Sequence, residues 1–332
     1  MSLKLPIVSI IISAYNETKY LPLTIDSILQ QTCANFEVLI FSNHYNLIAR
    51  WFRQKQDVRL KFIFQRNLGI AQTLNQGIFA ARGKYLCFIN AGDVWHSDKL
   101  QKQIFGLDHY PEVGLIHSWL MLIDSQGKST GKIIKYKYLG WVKREILEPN
   151  QICLQSVMLR RNCFDMVGLF DPKLQATPSW DLLIRLSHHY QFMTIAEPLV
   201  SCRKFSEANA RNWPIIETDL QTTIEQAYAH APPDLIRLKS RSYADVSLYL
   251  AKRVLQDKPD LAIANNYCHQ ALEHDPLISL SSEFLRIRLK IIILHYLNSD
   301  RYSRLLLSIQ AAQRLFEATI NQIKEYGHSL LN

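Results

Sequence analysis

The 332-residue sequence predicts an α/β fold, a mostly parallel sheet flanked by helices, followed by an all-α extension. Three observations point there. Short β-branched runs alternate with helix-spaced segments over roughly the first 110 residues. The first of them, Ile7 to Ser13, is a continuous apolar, β-branched run, as a strand covered on both faces is. After about residue 214 glycine almost vanishes until Gly327, and helical spacing takes over.

The elements follow in order. Ile7 to Ser13 (IVSIIIS) is the first strand, and Ala14-Tyr15-Asn16-Glu17 turns out of it. Leu21, Ile25, Ile28 and Leu29 share one face of a helix over 21–29. Phe36 to Phe41 is the second strand, Ile48 to Phe52 a short helix, and Leu60 to Phe64 the third strand. Gly69 to Ala81 is a second full helix, with Ala71, Leu74, Ile78 and Ala81 on one side and Gly83 as its terminator. Tyr85 to Ile89 is the fourth strand.

This alternation implies right-handed crossovers and a ligand edge at the carboxyl ends of the strands. That edge comprises Ser13 to Glu17, Ser42-Asn43-His44, Gln65-Arg66-Asn67 and Asn90-Ala91-Gly92-Asp93. One polar tip is only a solvated loop. Four on one edge make a binding cleft. The last tip holds a single carboxylate, Asp93, where a metal-bound diphosphate would call for several.

Lys and Arg number 38 against 29 Asp and Glu, for a net charge of +9. This balance favours anionic partners, but no basic run is concentrated enough to form a nucleic-acid patch, and no nucleic acid is expected. The six cysteines show no C-x-x-C spacing and are expected to be free thiols of a reducing compartment. The N-terminus turns polar too early for a signal peptide, and the apolar run Leu289 to Leu297 is far short of the ~20 residues of a membrane span. The expectation is a cytoplasmic protein, with peripheral membrane contact left open. No Walker loop or G-x-G-x-x-G appears, which argues against nucleotide hydrolysis and dinucleotide redox chemistry.

Four stretches carry a resemblance. PIVSIIISAYNETKYLPLTIDSILQQT and NLGIAQTLNQGIFAARGKYLCFINAGDVW resemble the nucleotide-binding half of family 2 glycosyltransferases of the GT-A type. QSVMLRRNCFDMVGLFDPKL and WDLLIRLSHHYQFMTIAEPLVSCR resemble the acceptor-side half, so that the likeness spans roughly residues 5 to 205. It implies an inverting transferase, of hexosyltransferase type, that moves a sugar from a nucleotide diphosphate sugar to a hydroxyl of a glycan, lipid or protein acceptor. It also implies nucleotide-sugar contacts at Ser13, Ala14, Tyr15, Asn16, Glu17, Ser42, Asn43, Asn67, Asn75, Asn90 and Gly92.

The acidic motifs of that family are altered here. Ser42 and Asn43 stand where an Asp pair contacts the base, and Asn90 and Gly92 stand where Asp-x-Asp holds metal and ribose. Asp93 is left as the weak candidate for catalysis and for the metal, Mn or Mg, which is expected to bind weakly. Pro178 and Ser179 stand where the family carries its base, and Asp181, two residues on, is expected to serve the start of a helix. The rival reading is a catalytically degenerate transferase-like domain that acts as a binding or scaffold protein. Of the remaining candidates, His117 could face the cleft and Arg160-Arg161 could meet the diphosphate, whereas the adjacent His188 and His189 point to different sides of a helix and cannot chelate together.

The expected domains are a transferase-like unit, 1–214, and a helical extension, 215–332. Within the extension, residues 243–276 resemble one tetratricopeptide-like helix pair, followed by amphipathic helices over 285–297 and 302–323. One such pair falls below the roughly three repeats needed to stand alone. A protein partner or self-association through this tail is therefore expected.

Overall fold

The computed structural model describes residues 5–15, 18–43, 55–149, 152–203, 213–229, 231–257 and 259–297. The helices expected over 48–52 and 302–323 lie outside them.

The first four strands form where expected: β1 (Val8–Ser13), β2 (Phe36–Ser42), β3 (Leu60–Phe64) and β4 (Tyr85–Asn90). They pair in parallel in the order β3-β2-β1-β4, with Val8 opposite Phe36 and Tyr85, and Ser13 opposite Phe41 and Asn90. Val8, Ile10, Ile11 and Ile12 have no exposed surface, as the unbroken apolar run requires. The crossovers contain α1 (Leu21–Leu29) and α2 (Ile70–Ala80), and α3 (Lys99–His109) follows a short β5 (Val94–Trp95). Ala71, Leu74, Ile78 and Ala81 are all buried, as their spacing predicts.

Gly83 plays a different part from the one expected. The helix stops at Ala80, and Ala81 is already extended (φ −69°, ψ 137°). A Cβ on Gly83 would lie 2.5 Å from Ser9 N and 2.7 Å from Val8 C. The residue is small so that the chain can cross the backbone of β1.

Beyond β4 the sheet ceases to be parallel. Among the described residues β6 (Val113–Ile123), β7 (Ser129–Ile134), β8 (Met158–Arg160) and β9 (Gln191–Arg203) complete a nine-stranded mixed sheet, ordered β3-β2-β1-β4-β8-β6-β9-β5 with β7 on β6. β8 runs antiparallel to both β4 and β6, β5 is antiparallel to β9, and β6 and β9 are parallel with register shifts.

Helices α4 (Cys163–Val167), α5 (Pro178–Ser187), α6 (Trp213–Tyr228) and α7 (Pro233–Ile236) belong to the first of two compact units, Met1–Ser242. The division therefore falls later than residue 214. The cause is α6: its Leu220 and Ile224 are buried, and Asp219 Oδ2 accepts the N–H groups of Ala176 (2.5 Å) and Thr177 (3.1 Å) at the start of α5. Asp219 thereby pins the two residues that lead into α5, Ala176 and the N-cap Thr177.

The second unit, Tyr243–Asn332, takes in most of α8 (Lys239–Asp257), then α9 (Leu261–His274) and α10 (Ser282–Tyr296). Asp260 caps α9 through Ile263 N (3.0 Å), and Ser281 caps α10 through Phe284 N (3.2 Å). Tyr243, early in α8, stacks on His274, the last residue of α9, at 4.8 Å between ring centres. An antiparallel helix pair therefore fills 243–274. Among the described residues no helix is long and apolar enough to cross a membrane.

Candidate functional site

Parallel register brings the tips of β1, β2 and β4 together. Ser13 ends β1 directly opposite Asn90, the last residue of β4. Ala14 N donates to Phe41 O (2.9 Å), and the buried Ser42 hydroxyl donates to Ala14 O (2.7 Å). Tyr15 is largely buried, and its hydroxyl donates to Arg66 O across 3.4 Å while accepting from Thr73 at 3.4 Å. Burial raises the pKa of its phenol. Asn43, Asn67 and Asn90 are exposed at this edge. Asn67 Oδ1 accepts from Gly69 N (3.1 Å) and shapes the entry to α2. Asn16 and Glu17 lie outside the described residues.

Asn75 does not stand free at the cleft. Its amide clamps the backbone of Phe170 from both sides, donating to Phe170 O (2.9 Å) and accepting from Phe170 N (3.0 Å). The residue ties α2 to the segment before α5.

The tip of β4 is a tight turn. Asp93 N donates to Asn90 O (3.2 Å), and Gly92 holds φ +107°, a conformation that glycine adopts without strain. Thr24 on α1 fixes the turn, because its hydroxyl accepts from Gly92 N (2.9 Å) and donates to Asp93 O (2.8 Å). The Asp93 carboxylate turns inward and is 5% exposed. Its Oδ1 accepts from Arg203 N at the end of β9 (2.9 Å). Arg203 also donates from Nε to Gly92 O (3.0 Å) and from Nη1 to Asp124 O (3.0 Å) and Ser125 O (2.9 Å), with its guanidinium 4.5 Å from the centre of the Tyr20 ring. Burial pushes the pKa of Asp93 up to about 7, against the N–H and charge of Arg203 and the neighbouring Cys202 thiol.

This donor set does not fit a dedicated Mn²⁺ or Mg²⁺ site. Such ions want several anionic oxygens. Gly92 offers no side chain, Asn90 is neutral, and Asp93 is buried and committed to Arg203 N. Among the described residues no three His, Cys, Asp or Glu side chains gather as a ligand set.

The remaining candidates have other work. His117 is fully buried, with Nε2 3.0 Å from both Tyr138 O and Thr194 Oγ1, and burial lowers its pKa to about 4. It is a neutral core residue and does not face the cleft. Arg160 pairs with Tyr85 at the start of β4, the opposite edge of the sheet from the tips, and its guanidinium serves Val113 O (2.8 Å), Leu107 O (2.5 Å) and Tyr110 O (3.0 Å). Asp181 is buried in the first turn of α5 and pairs one turn on with Arg185 at 2.5 Å. It lines a cavity of about 620 Å³ with Ile184, His188, Thr223 and Gln226, between α5 and α6.

Thr24 and Arg203 were not singled out by residue-level reasoning. Thr24 does carry a signal, being a polar residue within the apolar stripe of Leu21, Ile25 and Ile28. Arg203 carries none, since its partners are backbone groups far away in sequence.

The model of the family described as Glycosyl transferase family 2 matches residues 9–163. An uncharacterized glycosyltransferase of Methanocaldococcus jannaschii is 31% identical over 208 residues, which cover 60% of this chain and 71% of that protein. One from Nostoc sp. is 35% identical over 127 residues, 37% of this chain and 39% of its own length. Among solved structures, Staphylococcus aureus TarS 1–349 in complex with UDP-GlcNAc superposes with a TM-score of 0.57 at 12% identity, covering 86% of this chain and 88% of that one. The mannosyltransferase PcManGT of Pyrobaculum calidifontis, in complex with GDP-Man and Mn²⁺, gives 0.53 at 15% identity, covering 89% and 88%. At these identities the two structures share the fold alone. Sheet, motif order and relatives agree: the chain belongs to glycosyltransferase family 2.

Proposed function

We propose that the cleft at the tips of β1, β2 and β4 binds a nucleotide diphosphate sugar and that the protein transfers its sugar, with inversion, to an acceptor hydroxyl. The observation that carries this reading is the register of Ser13 with Asn90, locked to β2 by Ser42 on Ala14 O, which assembles separate polar tips into one edge. Neutral hydrogen-bonding groups there suit ribose and base hydroxyl, amide and carbonyl groups. Structural neighbours described in complex with UDP-GlcNAc and GDP-Man support a nucleotide-sugar donor. Inversion rests on the family resemblance. A divalent ion would be held mostly through the diphosphate, because the protein supplies so few anionic ligands. Calorimetric titration with UDP-, GDP- and other nucleotide sugars, with and without Mn²⁺, tests the reading. Binding of one donor in the micromolar to millimolar range is expected, and binding of none at millimolar concentration refutes it.

One observation favours a second reading, in which the domain binds but does not catalyse. Ser179 has no useful basicity at the position of the family's base, and Asp181 is paired with Arg185. A donor that binds, with neither sugar transfer nor donor hydrolysis over hours, would establish it.

A further inference from the structure

Two cysteines far apart in sequence meet beside the tip of β4. β8 pairs antiparallel to β4, with Met158 opposite Cys87, so the chain enters β8 from the tip side of β4. A single turn over Leu154–Ser156 makes that entry and packs on both β4 and β9. Cys153 leads into the turn, and its thiol donates to Gln155 Oε1. β9 reaches the same place from another direction, since Arg203 N at its end donates to Asp93 Oδ1. Cys202, the residue before, pairs with Leu122 of β6. Its thiol is within hydrogen-bond reach of both the Cys153 thiol and the Asp93 carboxylate. The Tyr136 hydroxyl lies near both sulfurs and accepts the N–H of Cys153.

A disulfide forms without backbone movement only where two chains come within about 7 Å and their side chains point at one another. Thiols already in contact, on a turn and a strand already packed together, meet that demand. Both cysteines are free and partly exposed, so a small reagent can reach them.

We propose that Cys153 and Cys202 are a reversible redox pair, oxidised by a small-molecule disulfide to a bridge that ties the start of β8 to the end of β9 and braces the tip of β4. The thiolate of one cysteine attacks glutathione disulfide, forming a mixed disulfide and releasing one glutathione thiolate. That thiolate takes the proton of the second cysteine, whose sulfur then displaces the second glutathione. Two cysteine S–H bonds are lost and one S–S bond is gained, while one glutathione S–S bond becomes two thiols. The bridge removes the S–H that Asp93 has beside it. The inference does not depend on the nucleotide-sugar reading, and its test needs no nucleotide.

The full native chain is incubated with excess glutathione disulfide, its remaining thiols are alkylated in denaturant, and it is digested with trypsin. Peptides 145–160 and 186–203 contain Cys153 and Cys202 as their single cysteines. Mass spectrometry should find these two peptides linked, and dithiothreitol should separate them. The oxidised protein should melt several degrees above the reduced one, because the bridge constrains the unfolded chain. Cys202→Ser should lose both the link and the rise. Glutathione adducts without the link, thiols that stay free, or a link that forms only in urea overturn the proposal. So does an oxidised protein that melts no higher than the reduced one, or a rise that persists in Cys202→Ser.

Discussion

Arg203 N lies 2.9 Å from Asp93 Oδ1, and Arg203 Nε lies 3.0 Å from the carbonyl of Gly92. The end of β9 therefore grips the turn that ends β4, and the Asp93 carboxylate is spent on that grip. A residue whose sequence position suggests a metal ligand is, in the fold, an internal brace.

The brace should be sensitive to pH. Asp93 titrates near 3.9 in an unfolded chain and at about 7 in the fold, where burial outweighs Arg203 and the Cys202 thiol. Between those values the folded protein holds a proton that the unfolded chain has lost. Stability falls as pH rises from about 4 to 7, by at most about 4 kcal/mol. Asp93→Asn keeps an acceptor for Arg203 N and removes the titration. Relative to the wild type, its melting temperature should be higher at pH 8 and equal or lower at pH 4. A variant less stable at pH 8 would mean that ionised Asp93 is held firmly by Arg203.

Asn75→Ala should act on stability. It leaves the N–H and C=O of Phe170, a residue only 1% exposed, without their partners. The expected cost is about 2 kcal/mol, measured by urea unfolding, with nucleotide affinity of the folded variant within about twofold of wild type, less than the roughly fivefold of 1 kcal/mol. Weaker nucleotide binding at unchanged stability would return Asn75 to the donor site.

Two glycines separate crowding from backbone strain. Gly83→Ala puts a methyl against backbone at 2.5 and 2.7 Å, where nothing flexible can yield. Gly140 holds φ +76° with open space around its Cβ position. Gly83→Ala should cost on the order of 3 kcal/mol and Gly140→Ala on the order of 1 kcal/mol. Thermal unfolding ranks them, and the reverse order would refute the close crossing over β1.

The first four strands and their helices were legible because each carries its own periodicity, and covered strands leave an unmistakable apolar run. Their tips were legible as an edge because parallel topology sends all carboxyl ends one way. What β8, β6 and β9 do was not legible. Their order depends on pairing between distant segments, and an eleven- or thirteen-residue strand with register shifts leaves no clean alternation. The same limit hid the grip of Arg203 and the clamp of Asn75 on Phe170, in which backbone groups are the partners and any residue could supply them. Sequence named the polar residues of the cleft, and long-range hydrogen bonds decided which were already committed.

The last prediction concerns Asn90 and Gly92, the two positions where the family carries carboxylates. They are not equally restorable. Asn90 ends β4 with its side chain exposed, and its structural bond to Asp93 N uses the carbonyl, so Asn90→Asp adds an anionic oxygen at the edge without disturbing the turn. Gly92 holds φ +107°, and Gly92→Asp should cost roughly 1–3 kcal/mol in backbone strain. Its N–H and C=O are both held, by Thr24 and Arg203, so the peptide has little freedom to relieve that strain. Each added carboxylate supplies a ligand type that hard cations prefer. Asn90→Asp alone should therefore increase the effect of Mn²⁺ on nucleotide affinity, from little in the wild type to several-fold. Gly92→Asp alone should chiefly lower the melting temperature. Calorimetry of UDP and GDP with and without Mn²⁺ for wild type and both variants reads this out. A wild type that already requires stoichiometric Mn²⁺ would show that other ligands complete the sphere and that the tip of β4 is not a weakened metal site.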